Sequence, residues 1–184
     1  MKLKDAFTEM LNSTTKIIEY AVNTIPGERF NTPPPHGSHP NVDEFFKTYF
    51  GIWSAARLLF HLAHYEHHTT VPTMNYWLGR AGLKCSEFEL LEPEGKARDD
   101  VVLNSIDRQF ILGQFKSIRI EQIRIISKIP EVDFHRVLMT DVFGEIPFLF
   151  VVSKTIQHSL EHGNDLMKNA VHWDRILVWL DQSS

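Results

Sequence analysis

The 184-residue chain contains a single cysteine, Cys85, and that scarcity removes several chemistries at once. One cysteine forms no intrachain disulfide, and it cannot furnish the thiolate set of a cysteine-based structural zinc site. A Cys–His nucleophile pair is equally unsupported, because no histidine lies near Cys85 in sequence. Long apolar runs are missing too. The longest, Ile146 to Val152, falls far short of the ~20 residues that cross a bilayer. The first residues, Met1-Lys2-Leu3-Lys4-Asp5-Ala6, enter an amphipathic segment directly, without the apolar stretch of a signal peptide. Together these absences set the expectation of a cytoplasmic protein that does not enter a membrane. An excess of positive charge is absent as well: 19 Lys and Arg stand against 23 Asp and Glu, a formal charge of −4. No broad basic surface can therefore neutralise phosphates, and nucleic acid is not the expected partner. Neither a phosphate-binding glycine loop, nor G-x-S-x-G, nor a dinucleotide fingerprint occurs.

What the chain does have is histidine, ten in all, and they are clustered. His61, His64, His67 and His68 share one stretch, His158 and His162 another, while His36 and His39 fall in a proline-rich loop from Phe30 to Pro40. The length suits one hydrophobic core and so one domain over residues 1–184. Apolar spacing predicts a helix over 3–24, closed by Pro26-Gly27. A second is expected from Asn41 or Asp43 to about Thr69, with Pro72 as its breaker. A long crossover follows over 73–103, in which Tyr76-Trp77-Leu78 closes a helical turn. A third helix spans Ser105, as N-cap, to Lys128. Residues 131–146 read as a connection. Pro147 opens a fourth helix to Val171, and Trp173 to Leu180 forms a short C-terminal helical segment. The fold class expected is all-α: a four-helix bundle with long crossover connections.

His158 and His162 stand at i, i+4, one turn apart on one helix face. Val151, Thr155 and Leu166 fall on the same stripe, which brings both imidazoles to the buried seam. Paired neutral imidazoles at that spacing can ligate one ion, although a hydrogen-bonded pair meets the same pattern. On the second helix, Phe50, Trp53, Leu58 and Tyr65 fall within about a quarter turn of His61, which puts His61 beside an apolar face. Three histidine nitrogens with one open position are what catalytic zinc sites use. His64, about 60° from His61, and His68 compete for the third place. His67 and Glu66 are expected at the surface. Glu161 is expected in solvent, its other role being to orient an imidazole. No Glu-x-x-His pair recurs on two helices, as di-iron carboxylate bundles require.

The stretch His61-Leu62-Ala63-His64-Tyr65-Glu66, followed far downstream by His158-Ser159-Leu160-Glu161-His162 and Gly163-Asn164-Asp165-Leu166, resembles the DinB/YfiT-like family of bacterial metal-dependent enzymes. The order of helices and the long connections agree with that likeness. It implies His61, rather than His64, as the third ligand beside His158 and His162. It also implies one divalent ion, zinc or nickel, and a homodimer. Two positions depart from the pattern: Asn164-Asp165 replaces Gly-Gln, and Glu161 stands where many relatives carry another histidine. Such an ion lowers the pKa of bound water towards ~7 for hydrolysis, or activates a low-molecular-weight thiol, as in the thiol S-transferases and the isomerase among the relatives. Trp53, Arg57, Tyr65 and Thr155 are the candidate substrate-binding residues, with Arg57 placed to meet a substrate carboxylate. The alternative is a non-catalytic helical dimer in which the ion staples two helices.

Overall fold

The computed structural model describes residues 2–34, 51, 53–83, 106–171 and 178. Amphipathic spacing in the first segment produces α1, Leu3–Thr24, which buries Phe7, Leu11, Ile18, Ala21 and Val22. A single helical turn, α2, Gly27–Phe30, then buries Phe30. The next described helix, α3, Ala55–Tyr65, starts where the Ser54 hydroxyl accepts from the Arg57 amide at 3.2 Å, satisfying one of the donors a helix N-terminus leaves free. The expected helix through the preceding residues is corrected here. Gly51, Trp53 and Ser54 are non-helical, and Gly51 has a φ of +70°. The proposed start at Asn41 or Asp43, together with Phe50, lies outside the described residues. So do His36, His39, Cys85, most of the crossover, the Ser105 cap and most of the C-terminal segment.

Pro72 does not end the second helical run. A π-helical turn, Glu66–Thr70, intervenes, and the chain continues through α4, Val71–Met74, with Pro72 in its first turn, into a 3₁₀ turn, Asn75–Leu78. Within a regular α-helix the proline ring would collide with the carbonyl four residues earlier. The widened turn places it where a new helical segment begins and no amide donor is needed.

The third long helix, α5, Arg108–Lys128, takes Asp107 as its cap, whose carboxylate accepts from the Phe110 amide at 2.7 Å. A 3₁₀ turn, Glu131–His135, follows. The connection then contains an unforeseen antiparallel hairpin, β1 Val137–Thr140 with β2 Gly144–Pro147, in which Val137 pairs with Pro147 and Thr140 with Gly144. Its turn carries no two-residue Asn-Gly signal. It is closed instead by the Thr140 hydroxyl, which donates to the Gly144 carbonyl at 3.1 Å and accepts from the Phe143 amide at 3.2 Å. The described residues are thus mostly helical, with one small two-stranded sheet. The last long helix, α6, Phe148–Val171, begins directly after Pro147. Helix α1 packs on α5 and α6, and α3 packs on the same two helices. No helix among the described residues is long and apolar enough to cross a membrane.

The centre of this packing is not wholly apolar. Glu66, expected at the surface, is fully buried, and so, nearly, is Arg119 of α5; their side chains meet at 2.6 Å. The Gln122 amide donates to the other Glu66 oxygen at 2.9 Å, and the Ser159 hydroxyl of α6 lies 3.3 Å from Glu66 Oε1 and accepts from Arg119 Nη2. Burial pushes the Glu66 carboxyl upward, opposed by the Arg119 guanidinium and the bonds from Gln122 and Ser159. His67, also expected at the surface, is 6% exposed. Glu161 is exposed, as expected, and accepts from Gln157 at 2.8 Å.

Two outcomes are expected from equilibrium denaturation. Glu66→Ala strands a buried guanidinium and should destabilise the fold by about 3–5 kcal/mol, whereas Glu66→Leu combined with Arg119→Met should cost far less, or nothing. Gly163 sits inside α6, and a Cβ there meets Ile18 at 3.6 Å and Ile17 at 3.7 Å, ordinary van der Waals contacts. Gly163→Ala should therefore stabilise by up to about 1 kcal/mol through helix propensity.

Candidate metal centre

Helices α3 and α6 each offer one turn of histidine to the space between them. On α3 the row of Leu58, Leu59 and Leu62 is buried, which leaves His61 half-buried at the margin of that face. On α6 the buried row of Val151, Thr155, Ser159 and Leu166 carries His158 and His162 along its edge, both half-buried. The packing of α3 on α6 then brings together residues almost a hundred positions apart. One nitrogen from each of His61, His158 and His162 lies within 4.8 Å of the other two, so the three could hold a metal ion.

The distances suit such an ion. His61 Nε2 and His158 Nε2 are 3.2 Å apart. Two nitrogens at ~2.0–2.1 Å from a tetrahedral zinc are separated by about 3.3–3.4 Å, so this edge is already close to closed. Without an ion, the same contact is a hydrogen bond in which one imidazole donates and the other accepts. The ring centroids of His158 and His162 are 4.7 Å apart, and those of His61 and His162 5.0 Å. His158 Nδ1 is buried without a hydrogen-bond partner.

The electrostatics keep His61 and His158 neutral, the form that ligates metals. Burial first, then His162, His61, Lys154 and Arg119, lowers the His158 pKa to about 3. Burial, His162 and Arg57 also push His61 downward. On the far side of His162, the Asp165 carboxylate lies 3.4 Å from Nδ1, and its pKa is lowered by His162 first and also by Lys168. Sequence analysis met Asp165 only as a departure from the family pattern and gave it no role beside His162.

Three of the four candidate substrate-binding residues border the rings. Trp53, although outside the helix expected to carry it, stands edge-on to His61 at 5.1 Å and stacks at 6.4 Å on His162. The Arg57 guanidinium lies 4.6 Å over the Trp53 ring. Tyr65 is 4.6 Å from the His158 ring and 6.3 Å from His61, and burial followed by Glu66 raises its hydroxyl pKa. Thr155 is buried, and its hydroxyl donates to the Val151 carbonyl at 2.8 Å and lies 3.4 Å from that of Thr70. His64 and His68 are drawn together instead, with ring centroids 4.2 Å apart, and His64 also stacks on Phe60. Neither belongs to the three-histidine group. A groove of about 280 Å³ between α1 and α6, lined by Phe7, Met10, Ile156 and Leu160 among others, contains none of the three histidines.

The partners that the sequence reading missed left a readable trace. Glu66 follows Leu59, Leu62 and Ala63 by seven, four and three residues, so a helical wheel centred on Leu62 puts it inside. Arg119 and Gln122 interrupt the apolar row of Phe115, Ile118 and Ile126 in the same way.

In chelator-treated protein, stability should fall as the pH drops below 6.5, the ordinary histidine value, towards about 3. The unfolded chain takes up a proton at His158 throughout that window while the folded chain does not, and the lowered pKa of His61 acts in the same direction. Denaturation midpoints measured from pH 7 to 4 check this, and His158→Asn should flatten the acid side of the curve.

No family model matches this chain, and no curated protein matches it.

Proposed function

We propose that the chain is a metal-dependent enzyme in which His61, His158 and His162 hold one divalent ion, zinc or nickel, that activates water or a low-molecular-weight thiol. The observation that carries this reading is the convergence of three histidine nitrogens within 4.8 Å, with no fourth His, Cys, Asp or Glu joining the group among the described residues. Closed structural zinc sites take four protein ligands, whereas catalytic ones keep a position open. When bound, the ion supplies the Lewis acidity that favours the deprotonated form of a coordinated nucleophile.

The chain's own residues do the rest. His61 and His158 remain neutral at physiological pH and need not shed a proton to bind. Trp53 walls the rings on one side and Tyr65 on another, limiting the access of bulk water. Arg57, held against Trp53, offers a cation beside the centre that suits an anionic group on a small-molecule substrate. The four long helical segments and the order of their histidines fit a four-helix bundle of the DinB/YfiT type, which is why a thiol stands beside water as the nucleophile and a homodimer is the assembly to look for. A non-catalytic staple between helices is the competing role.

His162→Ala should abolish stoichiometric zinc or nickel, measured by elemental analysis, while leaving most of the helical circular dichroism intact. Unchanged metal content would overturn the site. The loaded wild-type protein, given bacillithiol, mycothiol, glutathione or coenzyme A with an electrophilic acceptor, and separately an activated ester, should turn over one class. Turnover of neither shifts the assignment to the staple.

A further inference from the structure

We propose that Asp165 is the positioning residue of this centre, holding the proton of His162 on Nδ1 so that Nε2 presents its lone pair to the ion. This rests on the metal-binding reading above. An imidazole ligates through one nitrogen only if the other carries the proton, and metal-bound histidines generally donate that second N–H to a carboxylate, a carbonyl or water. His162 Nδ1 is buried and makes no aligned hydrogen bond, yet Asp165 Oδ2, one turn along α6, is 3.4 Å away. That contact is longer than a well-formed N–H···O bond, and a small rotation of the ring shortens it, as apo sites commonly tighten on loading.

Three further features fit the role. Asp165 lies outside the group of mutually close donor atoms, so it stands behind the His162 ring rather than joining the ligands. Its other oxygen, Oδ1, is taken by the Lys168 ammonium at 3.1 Å, which leaves Oδ2 directed at the imidazole. Its backbone is pinned as well, since the buried Asn169 side chain donates to the Asp165 carbonyl at 3.0 Å. His162 is thus held from behind by an anchored, half-buried carboxylate, and a carboxylate acceptor makes the opposite nitrogen a more basic donor to a cation.

Competition titration of Zn²⁺ against a chelator, with wild type, Asp165→Asn and Asp165→Ala compared, tests the assignment. Asp165→Ala should bind zinc about 10–100-fold more weakly, and Asp165→Asn, which keeps an acceptor but loses the charge, should fall between. The apo melting temperatures of the variants should stay close to that of wild type. Nitrogen-15 NMR supplies a readout that mere structural damage would not mimic: zinc-loaded wild type should show His162 protonated on Nδ1. Zinc affinity within twofold of wild type in Asp165→Ala, or a His162 Nδ1 without its proton in the loaded protein, overturns the role of Asp165 and leaves the metal site standing. Failure of wild type itself to bind zinc or nickel overturns the metal reading and this inference with it.

Discussion

The buried pairing of Glu66 with Arg119 is the constraint on which the rest of the structure depends. Two opposite charges removed from water are tolerable only when each finds its partner and most of the remaining donors and acceptors are filled; here Arg119 Nε has no hydrogen-bond partner. Here the partners come from three different chain segments: Glu66 from the π-turn after α3, Arg119 and Gln122 from α5, and Ser159 from α6. An apolar seam tolerates sliding by a turn. A charge that must meet its counter-charge does not, so the network fixes the axial position of three helical elements together.

That fixed position is what brings the histidines into one place. Ser159 follows His158 directly, and Glu66 lies five residues beyond His61. Both ends of the polar network are therefore covalently adjacent to the rows that carry the rings. The π-turn belongs to the same device. It begins at Glu66, which the period of α3 already points into the core, and accommodates Pro72 in the turn that follows. Arg119 also reaches the site through its charge, as one of the groups holding His158 neutral.

Around the rings the environment divides into two sides. Trp53, Tyr65 and Arg57 give an aromatic and cationic border, while Asp165 and Lys168 stand behind His162. In the proposed centre the first side would receive a small anionic molecule, and the second would hold the proton of His162.

Much of this was legible in the residues alone. The bounds of α1 follow from apolar spacing and from Pro26-Gly27, and the end of α5 from Pro130. The i, i+4 pair of His158 and His162 needs only helical geometry to share a face, because local periodicity is a property of the chain itself. The choice of His61 over His64 came from resemblance, and only the packing of α3 on α6 put its nitrogen beside the other two. The partner of Glu66, the burial of His67, the hairpin in place of a connection and the helix that runs past Pro72 were not read from the sequence. Arg119 is 53 positions from Glu66, the hairpin is local but carries no Asn-Gly turn signal, and the widened turn depends on the helices packed around it. The sequence by itself determined which residues could ligate, since side-chain chemistry and helical period are local. Tertiary structure decided which of them meet, because burial and charge pairing are settled only when separate helices share one core.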